Sequence, residues 1–143
     1  MKNTIQKVTT AGAVVKNNKI LVVKRASDDD SYPNLWELPS GKKEPLEKVT
    51  DSVVREVFEE TGLRVKVLDT IFSFNFSIEK ENEIKDFTQI IFAVETVGET
   101  QVELSGEHQD YKWIAESELD SLNISEETKE GIKKAFNYSR SLR

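Results

Sequence analysis

The segment from Lys48 to Gly62 constrains this chain more than any other. Lys48 to Thr61 carries apolar residues at helical spacing, and Gly62 supplies a natural stop, which predicts a helix over 48–61. At about 100° per residue, Glu56, Glu59 and Glu60 fall within an arc of about 100°. Val53, Val54, Val57 and Phe58 occupy the neighbouring arc. The carboxylates border the stripe that must be buried, so a fold for this chain has to set an acidic rim against its own core.

The remaining segments define what that helix packs on. Val8 to Val15 and Ile20 to Lys24 are β-branched and apolar and flank Asn17-Asn18, which predicts a hairpin. Ala26 to Asn34 is polar, carries the run Asp28-Asp29-Asp30 and reads as a loop. Trp36-Glu37-Leu38 reads as a short strand stopped by Pro39. Past Gly62, Leu63, Val65 and Val67 alternate with Arg64, Lys66 and Leu68. Phe72, Phe74 and Phe76 then alternate with Ser73, Asn75 and Ser77, predicting a strand with one aromatic face. Glu79 to Lys85 reads as a hairpin tip and Phe87 to Val97 as the returning strand. Tyr111 to Ile114 reads as a late short strand, and Ser125 to Tyr138 as a helix with Ile132, Ala135 and Phe136 on one side. No linker or repeat interrupts the chain, and 143 residues suit one core rather than two. The expectation is a mixed α/β domain over residues 1–143.

Charge and cysteine content narrow the chemistry. Twenty Lys plus Arg against 26 Asp plus Glu give a net charge of −6, which argues against duplex nucleic acid as the main partner. A small phosphorylated ligand held through a divalent ion remains compatible with that charge. The chain has no Cys and a single His, which excludes disulfides, thiolate zinc sites and cysteine nucleophiles and makes a structural zinc cage untenable. No run approaches the roughly 20 apolar residues that span a bilayer. The opening residues MKNTIQKVTTAGAVV hold no continuous apolar leader, so a cytoplasmic, membrane-free setting is expected.

Like charges at i, i+3 and i+4 repel by a few tenths of a kcal/mol per pair on an open helix, and by more when desolvated. Arg55 precedes Glu59 by four residues and can pair with it. A hard divalent cation would offset the rest: clustered Glu without His or Cys suits Mg²⁺ or Mn²⁺ far better than zinc.

Gly41 to Leu63 also reads, in order, Gly, five residues, Glu47, seven residues, Arg55-Glu56, Val57, one residue, Glu59-Glu60, one residue, Gly62, Leu63. Every defined position matches the Nudix box, and the chain resembles a Nudix hydrolase. Trp36-Glu37-Leu38-Pro39-Ser40-Gly41 is similar to the family's approach to the box, with Ser40 and Leu46 standing where many members have Gly. Ala11 to Arg25 resembles the family's opening hairpin, and Glu107 to Trp113 its late Glu-to-Trp segment.

The resemblance implies a mixed curved β-sheet sandwiched between helices, an α/β/α sandwich. It also implies cleavage of a nucleoside diphosphate linked to another moiety, by water attack at phosphorus. Glu59 and Glu60 would be metal ligands, and Glu56 a ligand or the base that deprotonates water. Glu47 would be a further ligand or would support one on the substrate side. Arg55 would orient a glutamate, and the carbonyl of Gly41 would reach the metal. Glu107 matches a loop glutamate that some members use as ligand or base, whereas an exposed loop Glu would read the same way. His108 beside it reads as solvent-facing.

Lys24 and Arg25, at a strand end before the polar loop, are candidates for phosphate contact, although basic strand ends are common. Trp36 is a candidate to pack or to stack on a base, together with Tyr32 and Trp113, while Phe74 reads as core. The Pro and Tyr markers of ADP-ribose and dinucleoside polyphosphate relatives are missing after the box. The resemblance is therefore strongest to the MutT-like group, which cuts nucleoside triphosphates to monophosphate and pyrophosphate. An ADP-ribose or nucleotide-sugar pyrophosphatase and a non-catalytic nucleotide-binding module are the alternatives. Dimers are frequent among such relatives, so a homodimer stays open.

Overall fold

The computed structural model describes residues 2–98 and 101–142. Its elements run β1 (Asn3–Lys16), β2 (Lys19–Arg25), β3 (Trp36–Glu37), β4 (Ser40–Lys42), α1 (Val49–Thr61), β5 (Val65–Glu79), β6 (Glu83–Thr96) and β7 (His108–Ile114). A 3₁₀ turn at Glu116–Ser121 and α2 (Glu126–Ser141) follow. Strand order is β3-β2-β1-β6-β5, with β7 paired to β2 and β4 to β1. β1 and β6 run parallel from Asn3–Glu83 to Val14–Val94, and the remaining pairings are antiparallel. The sheet is therefore mixed, as expected.

Period-2 alternation sorts side chains to two faces. Ala11, Ala13, Ile20, Val22 and Ile91 pack with Ile132, Ala135 and Phe136 of α2. Val14, Leu21, Phe92 and Val94 pack with Val53 and Val57 of α1. One helix covers each face, which is the α/β/α sandwich.

Local chemistry sets the joints. Asn17 and Asn18 both adopt positive φ, 53° and 63°, the backbone a two-residue hairpin requires of its central residues. Gly62 ends α1 at φ 74°, its N–H donating to the Phe58 carbonyl. Ser125 caps α2 by accepting from the Thr128 N–H.

Three expectations change. The runs expected at Leu63 to Leu68 and at Phe72 to Ser77 join into one long strand, β5, which starts at Val65 and is bent by register shifts between Val67 and Asp69 and between Thr70 and Phe72. Strand β4 and the 3₁₀ turn had no sequence signal. Phe58 is not in the buried stripe: it is 43% exposed, with the Arg64 guanidinium 4.7 Å over its ring. Among the described residues no helix is long and apolar enough to cross a membrane.

Candidate active site

Two attachments place α1. Thr10 on β1 and Ser52 on α1 share a buried hydrogen bond of 2.8 Å. β4 pairs with Thr9–Ala11 of β1, and this brings Gly41 beneath the helix. At the far end, the carbonyls of Glu60 and Thr61, which lack helical partners, accept from the Ser105 and Glu103 N–H groups at 3.1 and 2.8 Å. The segment leading to Glu107 is thereby fastened to the end of α1.

A cleft of about 900 Å³ results. Gly41, Arg55, Glu56, Glu59, Glu60 and Glu107 line it, as do Arg25, Glu37 and the apolar row Phe74, Phe76, Ile78 and Phe87. Phe76 and Phe87 stack with centroids 4.8 Å apart. Phe74 is thus a cleft wall as well as a neighbour of the core, a role that its alternation alone did not reveal.

Arg55 organises the acidic rim. Its Nε and Nη2 donate to the two Glu47 oxygens at 2.8 and 3.0 Å, and Nη2 also reaches the Lys42 carbonyl. Nη1 donates to Glu56 at 2.8 Å and to Glu59 at 3.2 and 3.3 Å. The i, i+4 pair with Glu59 exists, but the two-pronged grip is on Glu47. That grip, with the Glu44 N–H, holds the Glu47 carboxyl down at about 2.

Glu60 is only 5% exposed and accepts from the Ser40 N–H at 3.0 Å. Burial pushes its carboxyl up to about 9 against that hydrogen bond, and Glu37, Glu56 and Glu107 push the same way. Glu56 is also raised, by burial first, despite Arg55. Gly41 has no side chain for a spatial reason: a Cβ there would overlap the Glu56 carboxylate.

The donor set fits a hard divalent cation. It is all oxygen, it gathers several carboxyl groups of which Arg55 pairs with Glu56 and Glu59, and the bare Gly41 lets a carboxylate lie against the backbone. Among the described residues no three acidic or histidine side chains are already drawn into a cage. Glu56 and Glu60 spend their hydrogen bonds on Arg55 and Ser40 instead.

Other sequence candidates lie elsewhere. Trp36 is 6% exposed and belongs to the core on the α2 side, with Lys24 and Lys112 over its ring at 5.9 and 5.6 Å. Neither Trp36 nor Lys24 lines the cleft, and Trp113 borders a separate groove. Arg25 does line it, but Glu37 and Asp29 hold its guanidinium. His108, expected to face solvent, is buried.

Residues 6–136 match the family model described as NUDIX domain. The chain belongs to the Nudix family. A MutT protein from Methanosarcina mazei Go1 has the same fold, with a TM-score of 0.74 and 26% identity over 97% of this chain and 96% of that one. The protein named Nucleoside triphosphatase NudI from Enterobacter sp. (strain 638) is 25% identical over 130 residues, covering 87% of this Nudix chain and 92% of that protein. Nucleoside diphosphate-linked moiety X motif 6 of Mus musculus is 48% identical over 59 residues, and the match spans 18% of that protein's length. Nudix hydrolases generally use divalent metal ions and act on small nucleotide substrates.

Proposed function

We propose that residues 1–143 act as one domain that hydrolyses phosphoric anhydrides in nucleotides, with Mg²⁺ or Mn²⁺ as cofactor. A nucleoside or deoxynucleoside triphosphate, oxidised forms included, is cut to monophosphate and pyrophosphate. The observation that carries this reading is one cleft, large enough for a nucleotide, lined by Glu56, Glu59, Glu60, Glu107 and Gly41 together with an aromatic row. Likeness to the NudI and MutT proteins supports it.

In this reading Glu56, Glu59, Glu60, Glu107 and the Gly41 carbonyl hold the ion, which when bound neutralises phosphate oxygens and lowers the pKa of water. Arg55 keeps Glu47 and the loop before α1 from drifting into the cleft. Either Glu56 or Glu107 takes the proton from water as its oxygen attacks phosphorus and pyrophosphate leaves. The apolar row gives the base a surface that excludes water.

The test is a panel of ribo- and deoxynucleoside triphosphates, 8-oxo-dGTP and ADP-ribose, incubated with Mg²⁺ and assayed for pyrophosphate and phosphate release. Turnover of a triphosphate to monophosphate plus pyrophosphate is expected, abolished by chelation and largely lost in Glu59→Gln with unchanged circular dichroism. A nucleotide that binds and is recovered intact would mean a binding module, and an unaltered rate in Glu59→Gln would remove the ligand assignment.

A further inference from the structure

The sole histidine is tied to the cleft through a chain of charged side chains outside the box. The His108 side chain is 2% exposed, and its Nε2 lies 3.0 Å from Oε2 of Glu37. The same carboxylate accepts from Arg25 Nη1 at 3.0 and 3.2 Å. Arg25 Nη2 donates to Asp29 at 2.7 Å, and the other Asp29 oxygen accepts from the N–H groups of Ser31 and Tyr32. Main-chain bonds run alongside: the Ala26 N–H donates to the Glu107 carbonyl at 3.1 Å. Gln109 Nε2 donates to the Arg25 carbonyl and to Asn34 at 2.8 and 2.7 Å. Two segments that flank the cleft, the loop 26–35 and the turn 105–107 leading into β7, are thus joined through Glu37.

A β-bulge makes this possible. Lys24 pairs with Asp110, but the next residue, Arg25, pairs with His108, leaving Gln109 as the extra residue on β7. Without the bulge, His108 would share a face with Ile114 and lie on the α2 side of the sheet. The extra residue turns it to the face of Arg25, where Glu37 also projects, and Gln109 closes the opening with its own amide.

We propose that His108 is a positioning residue: through Glu37 and Arg25 it clamps the segment bearing Glu107 to the loop 26–35 and so fixes Glu107 over the acidic rim of α1. The proposal rests on the reading that Glu107 works in the cleft. If His108 merely filled space, a leucine of similar volume would serve as well. If it acts as a clamp, the Nε2 donor matters, and glutamine, whose amide nitrogen reaches a similar position, substitutes for it.

The test compares His108→Leu, His108→Gln, Glu107→Gln and the double variant H108L/E107Q. The assay uses the panel nucleotide that the wild type turns over fastest, with amide hydrogen exchange on the metal-free proteins alongside. His108→Leu is expected to lower kcat by about 10–100-fold, the range typical for residues that orient a ligand, with KM little changed. It should also speed exchange at the Ala26 amide. His108→Gln restores both, and the double variant is barely worse than Glu107→Gln because the two act as a unit. Wild-type kcat and protection in His108→Leu, no recovery in His108→Gln, or multiplying losses in the double variant would each overturn the clamp. If the wild type turns over no panel nucleotide, the hydrolase reading fails, and the Ala26 amide alone decides the clamp.

Discussion

Gly41→Ala separates the site from the fold. The φ of Gly41 is not positive, so alanine fits its backbone, and such a replacement stabilises by about 0.4–1 kcal/mol through the unfolded chain. The added methyl, however, would occupy the space of the Glu56 carboxylate, which must swing away and loosen its bond to Arg55. That partly exposed ion pair is worth about 0–1 kcal/mol. The two contributions nearly cancel, and stability should change by less than about 1 kcal/mol, or roughly 4 °C in Tm for a domain of this size. Activity should not survive so well. Restoring ordinary contact moves the carboxylate by roughly 1 Å, a displacement that costs on the order of 100-fold in rate, or about 2.7 kcal/mol of barrier. Steady-state pyrophosphate release and thermal melts on the same preparation measure both quantities. Unchanged kcat/KM at unchanged Tm would refute the claim that Glu56 works from its seat over Gly41. A collapse in Tm would show that the position matters for folding instead.

Arg55→Lys should lower kcat/KM by more than tenfold, because one ammonium cannot grip both Glu47 oxygens while also reaching Glu56 and Glu59; parallel kinetics and melts check it. Mg²⁺ at a hundred times its Kd should raise stability by about 2.7 kcal/mol, seen as a Tm increase of roughly 10 °C that EDTA reverses. Asp29 is held at about 2 by Arg25 and the N–H groups of Tyr32 and Ser31, below its ordinary value. A lowered pKa stabilises the fold above about pH 4, and that stabilisation is lost as pH falls from about 4 towards about 2. The Tm gap between wild type and Asp29→Asn should therefore be full at pH 7 and close on acidification, as melts across that range would show.

Much of the fold could be read because its signals are local. The Asn17-Asn18 turn and the Gly62 stop each depend on residues within one turn of chain. The start of β1 was not legible: Asn3 to Lys7 is polar and largely exposed, pairing with Glu83–Phe87 beyond the helices, so no buried face imposes alternation there. Strand β5 was split for a related reason. Its two register shifts break the period of two between Val67 and Phe72, and a broken period looks like two elements.

The site divides along the same line. Glu56, Glu59 and Glu60 share an arc fixed by helix geometry, so their grouping follows from numbering alone. Arg55 shows where that logic stops. Helical spacing pointed to Glu59, yet the shorter, paired bonds go to Glu47 in the preceding loop, a partner set by how β4 folds under α1. The physical consequence differs. An arginine tied chiefly to Glu59 would neutralise a carboxylate that lines the cleft. Tied to Glu47, it spends its strongest contacts on the loop and leaves Glu59, with a side chain 54% exposed, lightly held at the rim. His108 and Glu37 lie further still from anything local, since a single unpaired residue, Gln109, decides which face the histidine takes. The acidic rim is written in one helix, whereas the contacts that hold it depend on strand register, which only the folded sheet determines.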